Sequence, residues 1–283
     1  MSLATPVVGD PVEKEMKRFH RQQRSLGDRV LAAVSSMVVL FLYLPLAVVV
    51  LYSFSAANVA TWPIEGYTLD WYGELAQDKE IQQALRLSVV IGLAAAAIAV
   101  MLGTLAALAI DRFEFPGKAA LRYAAVLPIT LPGIVTGVAM LSFFSFLAWP
   151  MSRSTLIIGH ATFCIALVLN AVVARLGQLP RNMAEASADL GAPPGRTFWR
   201  ITFPLIRPAI LAGAVLAFTL SFDEVIVSFF LQGREPTLPL LIWGRLRVGL
   251  SPEINAVATV IILVSLAGVL LSHRISKRAA LGG

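Results

Sequence analysis

Asp223 and Glu224 are adjacent carboxylates inside a long apolar run, where an ionised group is costly unless it meets a partner, a cavity or water. Neighbouring helix positions point about 100° apart, so at most one of the two can face a pathway squarely. Two uses fit the pair. It can form part of an acidic ring that helps a polycation pass, or it can serve the structure by pairing with Arg234 or capping a break in the helix. Asn170 is a polar group of the same kind, with interhelical hydrogen bonding as its default use. His20, His160 and His273 lie in three separate regions and make no metal site by spacing. His160 and Cys164 share a helical face at i, i+4, but two soft ligands are too few for zinc, and a packed or hydrogen-bonded pair is expected. No Gly-x-x-x-x-Gly-Lys-Ser/Thr phosphate loop occurs, so any nucleotide is bound elsewhere. The missing catalytic constellation disfavours an intramembrane enzyme.

The elements that must carry these residues are membrane helices. The 283 residues are 57% hydrophobic and only 14% charged. A soluble domain is about 25% charged, so lipid must cover much of this surface. A spanning helix needs about 20 mostly apolar residues. Six stretches qualify: 30–54, 85–110, 123–148, 155–174, 205–231 and 256–272. The first is too long for the apolar core of a signal peptide and reads as an uncleaved span. Pro45, Pro128 and Pro132 fall inside or at the start of spans, where neighbouring helices can re-satisfy the backbone. The expected fold is an all-α membrane bundle of about six spans. It divides into an N-terminal arm (1–29), a transmembrane domain (30–274) containing a long loop (175–204), and a C-terminal tail (275–283).

Charge sets the orientation. Seventeen of the 23 basic residues fall on the N-terminal arm, the second–third and fourth–fifth connections, and the tail. The positive-inside rule then places both termini in the cytoplasm. The net charge of +6 follows this topology rather than marking a nucleic-acid surface. On the outer side, Arg234, Arg245 and Arg247 lie in the connection 232–255 and can pair with carboxylates on a partner. The arm 13–24 is amphipathic and suits either the inner membrane surface or water. Ala95, Ala99, Gly103 and Ala107 recur every fourth residue, and Gly133 and Gly137 share that spacing. Such rows let backbones approach closely, although alanine is also simply common here.

The loop 175–204 carries the most information. Pro180 suits a first helical position, Gly191 a left-handed C′ position, and Pro193 and Pro194 forbid continuation. A second short helix fits 194–203, with Pro204 expected to stop it and turn the chain back into the membrane. Ala184, Ala186, Ala188 and Ala192 keep the surface small, so the loop reads as a docking hairpin.

Here the chain resembles the permease subunits of binding-protein-dependent ABC importers. They carry Glu-Ala-Ala-x3-Gly-x9-Ile-x-Leu-Pro in this loop. This chain has Glu185, Ala186, Ser187, Gly191, Ile201, Phe203 and Pro204, departing mildly at Ser187 and Phe203. Leu69-Asp-Trp-Tyr72, His160-x-Thr-Phe-Cys164, Phe218-Thr-Leu-Ser-Phe-Asp-Glu224, Thr237-Leu-Pro239 and Ser251-Pro-Glu-Ile-Asn-Ala256 resemble the spermidine/putrescine permeases, the second of their two subunits most closely. The resemblance implies a type I importer in a bacterial inner membrane. Its parts are two permeases, two cytoplasmic ATPases that bind the ATP and magnesium, and a periplasmic binding protein. This chain itself would hold no cofactor, and its 185–191 segment would be the coupling helix. The same architecture carries other solutes, such as amino acid derivatives, organophosphonates or oxyanions. A stand-alone secondary transporter is the remaining alternative, but no repeat between the halves is visible.

Overall fold

The computed structural model describes the backbone of residues 11–57, 61–180, 182–249 and 252–281. Side chains are described for all of these except 11–26, 182, 184 and 267–281. The helices are α1 (Pro11–Tyr52), α2 (Asp70–Gln77), α3 (Lys79–Arg112), α4 (Lys118–Thr130), α5 (Gly133–Phe146), α6 (Arg153–Leu176), α7 (Asn182–Asp189) and α8 (Pro194–Thr197). A π-turn (Phe198–Thr202) follows, then α9 (Phe203–Asp223), α10 (Ile226–Leu231), α11 (Leu238–Val248) and α12 (Pro252–Leu281).

The chain separates into two compact units, residues 1–73 with 251–283, and residues 74–250. In the first, α1 and α12 lie in contact. α1 runs unbroken through the arm and the first expected span, and Pro45 does not interrupt it. None of the apolar window in Gly27–Tyr52 is buried, so its side chains need lipid or another protein around them. The following segment folds back on itself. Trp71 Nε1 donates to the Ser55 carbonyl at 2.7 Å, and Ser53 Oγ meets the Tyr72 hydroxyl at 2.7 Å.

The second unit is built on α3, α6 and α9. Lipid tails are as apolar as leucine, so these helices gain little from hiding hydrophobic surface and depend on close packing. The small-residue row on α3 supplies it. Ala95, Ala99, Gly103 and Ala107 are all buried. At Gly103 a Cβ would stand only 2.9 Å from the Ile165 carbonyl of α6 and 3.1 Å from the Leu169 nitrogen. The second small pair, Gly133 and Gly137, lies under Ile226 and Phe230 of α10.

Among the described residues, four helical stretches are long and apolar enough to cross a membrane: Gly27–Tyr52, Lys79–Arg112, Arg153–Leu176 and Pro194–Asp223. Two departures from the expected spans have local causes. The stretch 123–148 is not one rod: α4 and α5 meet at 109°. Proline disfavours helical backbone in the residue before it, and Leu131 is accordingly extended (ψ 142°) ahead of Pro132. The stretch 205–231 breaks at Glu224, also extended, and resumes as α10. The expected stretch 256–272 lies wholly within α12 (Pro252–Leu281), whose side chains are described as far as 266.

Candidate functional site: the docking hairpin and the broken fifth span

The hairpin is α7, a tight turn and α8. α7 ends in a Schellman motif. The Ala192 N–H reaches the Ser187 carbonyl at 3.0 Å and the Gly191 N–H reaches the Ala188 carbonyl at 2.8 Å. Gly191 holds φ +74°, the left-handed geometry expected of it, with open space where a Cβ would stand. Pro193 and Pro194 then restart the helix, with Pro194 at its first position. Ser187, one of the two departures from the family pattern, gains a use: its hydroxyl meets that of buried Thr197 at 2.8 Å and ties α7 to α8.

The hairpin's outer surface is apolar for an aqueous setting. Leu190 is 89% exposed, Trp199 64% and Met183 42%, and Glu185 and Ala186 are exposed beside them. Side chains at 182 and 184 lie outside the described residues, so the expectation for Ala184 is left there.

Pro204 does not end the second helix. α8, the π-turn and α9 form one continuous helical stretch, Pro194–Asp223. Proline lacks a donor, and its ring crowds the carbonyl one turn back. The π-turn widens that turn, with the Phe203 N–H reaching back to the Phe198 carbonyl, so the helix passes Pro204 unbroken. Two arginines anchor this exit. Arg112, at the end of α3, donates to Thr202 Oγ1 at 3.2 Å and stands 5.9 Å over the Phe198 ring. Arg175 of α6 donates to the Leu205 carbonyl at 3.0 Å. Ile201 and Pro204 therefore lie at the joint between hairpin and span.

At the other end of this rod stand the two carboxylates. Asp223 is exposed, and Glu224 is half-buried. Glu224 caps the break: its Oε1 accepts the Val227 N–H at 2.9 Å, and its carbonyl accepts the Ser228 hydroxyl at 2.7 Å. Of the two structural uses considered, capping is the one observed. Asn170 is exposed on α6.

His160 does not pair with Cys164. Its ring meets Ser221 and Ser228, while Cys164 Sγ donates to the Ala217 carbonyl at 3.3 Å. The spacing of these serines, seven apart and flanking the carboxylates, was the available signal for that arrangement.

The outer arginines divide. Arg234 is exposed. Arg247 lies 5.4 Å over the Trp243 ring. Arg245 corrects the expectation of a partner contact, because it is engaged within the chain. Its Nη2 reaches Asp78 Oδ2 at 2.8 Å and Glu80 Oε2 at 2.7 Å, fastening α11 to the start of α3. Burial alone would raise the Asp78 carboxyl. The Arg245 hydrogen bond, the Ile81 N–H, the Arg245 charge and the Glu80 N–H together hold it below its ordinary 3.8. Leu238 N–H donates to Ser88 Oγ at 2.8 Å and secures the same joint.

Comparison with known proteins agrees with this anatomy. The model of the family described as "Binding-protein-dependent transport system inner membrane component" matches residues 99–279. The chain is 41% identical over 231 residues to the putrescine transport system permease protein PotI of Escherichia coli (strain K12), covering 78% of this chain and 82% of that protein. It is 35% identical over 239 residues to the spermidine/putrescine transport system permease protein PotC of the same strain, covering 84% and 90%. Among solved structures, a bacterial ABC transporter involved in the import of the acidic polysaccharide alginate superposes with a TM-score of 0.65 at 16% identity. That match covers 90% of this chain and 97% of that one, a likeness of fold alone. A helical membrane chain with this hairpin and these relatives belongs to the family of inner-membrane components of binding-protein-dependent transport systems: it is an ABC-importer permease subunit.

Proposed function

We propose that this permease moves a polyamine, putrescine or spermidine, across the bacterial inner membrane. The observation that carries the reading is its identity to PotI and PotC over more than three-quarters of its length, since both are named for those solutes. An exposed Asp223 beside Glu224 in the outer part of the fifth span suits a polycation better than an oxyanion or organophosphonate, which the same charges would repel.

In this reading the chain pairs with a second, non-identical permease and binds no cofactor of its own. Two cytoplasmic ATPases bind ATP and magnesium, and a periplasmic binding protein delivers the solute. The hairpin around Glu185, Ala186 and Gly191 seats in the ATPase. Exposed Leu190, Trp199 and Met183 support this, because large apolar side chains presented on a short hairpin suit contact with another protein. Both termini lie in the cytoplasm, in keeping with the basic inner loops. On the outer side, Arg234 and Arg247 are the groups available to meet the binding protein.

The test is reconstitution of the full complex in proteoliposomes. The binding protein is loaded in turn with putrescine, spermidine, an amino acid derivative, an organophosphonate or an oxyanion. ATP-dependent accumulation of the polyamines alone supports the assignment. Accumulation of one of the other solutes instead overturns it.

A further inference from the structure

One buried imidazole bridges the break in the fifth span. α9 ends at Asp223 and α10 begins at Ile226. His160, in the third turn of α6, offers one ring nitrogen to each half. Nδ1 lies 2.7 Å from Ser221 Oγ in the last turn of α9, and Nε2 lies 3.0 Å from Ser228 Oγ in the first turn of α10. The three residues are 1%, 3% and 0% exposed, so water does not compete for these bonds.

The hydrogens can be assigned by elimination. Ser228 has a single hydroxyl hydrogen, and it goes to the Glu224 carbonyl at 2.7 Å. Toward the ring, Ser228 Oγ can therefore only accept, so Nε2 carries a hydrogen. In the neutral ring Nδ1 is then an acceptor, filled by the Ser221 hydroxyl. The donors run one way, from Ser221 through His160 and Ser228 to the Glu224 carbonyl, and cross the break without an unsatisfied group. The Glu224 carboxylate closes the same turn through Val227 N–H.

Other bonds from α6 reach one half only. Cys164 holds α9 at the Ala217 carbonyl, and Thr155 Oγ1 holds α10 at the Leu231 carbonyl, 2.9 Å away. Gly159, next to His160, makes room for this approach, because a Cβ there would run into the Leu231 side chain.

We propose that His160 is the positioning residue that fixes the angle between α9 and α10, and through it the placement of Asp223 and Glu224. Its link to transport rests on the reading of that acidic pair as part of the solute's path. The imidazole acts as a fixed donor–acceptor pair and not as a proton carrier. A glutamine amide, with its oxygen and nitrogen similarly spaced, can take over both bonds but cannot be protonated in the working range. Leucine can make neither.

The experiment uses the assembled complex in proteoliposomes with putrescine-loaded binding protein and two readouts. The first is putrescine accumulated per ATP hydrolysed. The second is a spin-label distance across the break, from Leu216 to Phe229, both exposed. It is measured on a Cys164→Ser background that keeps the donor to Ala217. His160→Leu should broaden the distance distribution and lower the transport ratio about fivefold, the scale of one buried hydrogen bond. His160→Gln should restore both. If His160→Leu does not assemble, the Ser221→Ala/Ser228→Ala double variant, which strips the ring of both partners, takes its place with the same expectation. An unbroadened distribution in the variant that lacks the bonds overturns the proposal, and so does a glutamine variant as defective as leucine. Asp223→Asn/Glu224→Gln separates the two claims. If that variant transports normally while His160→Leu still broadens the distance, the acidic-pair reading fails and the positioning role stands.

Discussion

Replacing Gly191 by asparagine, alanine and valine in turn applies a graded backbone strain to the α7–α8 hairpin. A Cβ at this position meets no atom within 4 Å, so adding the Cβ itself causes no clash. What remains is the backbone angle of φ +74°. An L-residue held in the left-handed region costs about 1–2 kcal/mol, asparagine least because its side chain bonds locally, and β-branched valine most. A loss of one to two kcal/mol reduces the properly turned hairpin by about 5–30-fold relative to alternatives. The Ser187–Thr197 bond cannot offset this, because it depends on the same turn bringing α7 against α8. The assay is putrescine uptake by cells with equal amounts of each variant in the membrane, alongside co-purification of the ATPase. Asparagine should stay near wild type, alanine should fall about fivefold, and valine should approach the thirtyfold end of that range. Uptake that drops equally for asparagine and valine would refute the conformational argument. Full uptake with valine would refute any need for the turn itself.

Three further outcomes can be checked. Asp78→Asn should lower the unfolding temperature of the complex at neutral pH, modestly because the ion pair is partly exposed. The Asp78 carboxyl titrates lower when folded than its ordinary 3.8, so its contribution is complete above that value and fades as pH falls through the lowered one. The difference between wild type and variant should therefore persist at pH 5 and shrink only in stronger acid, and a difference that vanishes by pH 5 would count against the pairing. Gly103→Leu should reduce folded permease by about 1–3 kcal/mol of overpacking, because its Cβ meets the Ile165 carbonyl and the Leu169 nitrogen rather than a movable side chain. A thermal midpoint that does not move would refute it. Cysteines introduced at Ser2 and Gly283 should resist a membrane-impermeant maleimide in intact spheroplasts, and ready labelling of either would reverse the topology.

The hairpin was legible because its signals are local. A glycine that must turn left-handed and two prolines that must end a helix act within four residues of themselves, and Gly191, Pro193 and Pro194 do so. The small row on α3 was legible as a pattern, but its partner on α6 was not, since spacing does not name the facing helix. Prolines inside spans were the weak point. Pro45 sits in an unbroken helix, Pro132 marks a 109° corner, and Pro204 is absorbed by a π-turn. Identical chemistry gives three outcomes because the surrounding packing decides whether the lost bond breaks the rod. Arg245 shows the same limit for charge. Its partners Asp78 and Glu80 lie more than 160 residues away in sequence, so only the fold reveals that it is engaged at home.

Under the proposed coupling role, the continuous stretch Pro194–Asp223 would work as a lever. Thirty residues of helix make a rod about 45 Å long, held near its inner end by Arg112 at Thr202 and Arg175 at Leu205. Those two ties act as a fulcrum, with an inner arm of about 15 Å toward the hairpin and an outer arm of about 27 Å toward Asp223. A push of about 2 Å on the hairpin then emerges as a swing of nearly 4 Å in the opposite sense at the carboxylates. Under the proposed coupling role, movement of an ATPase at the hairpin would reach the carboxylates enlarged and reversed, through a rod whose one widened turn, the π-turn, lies on the hairpin side of the two ties.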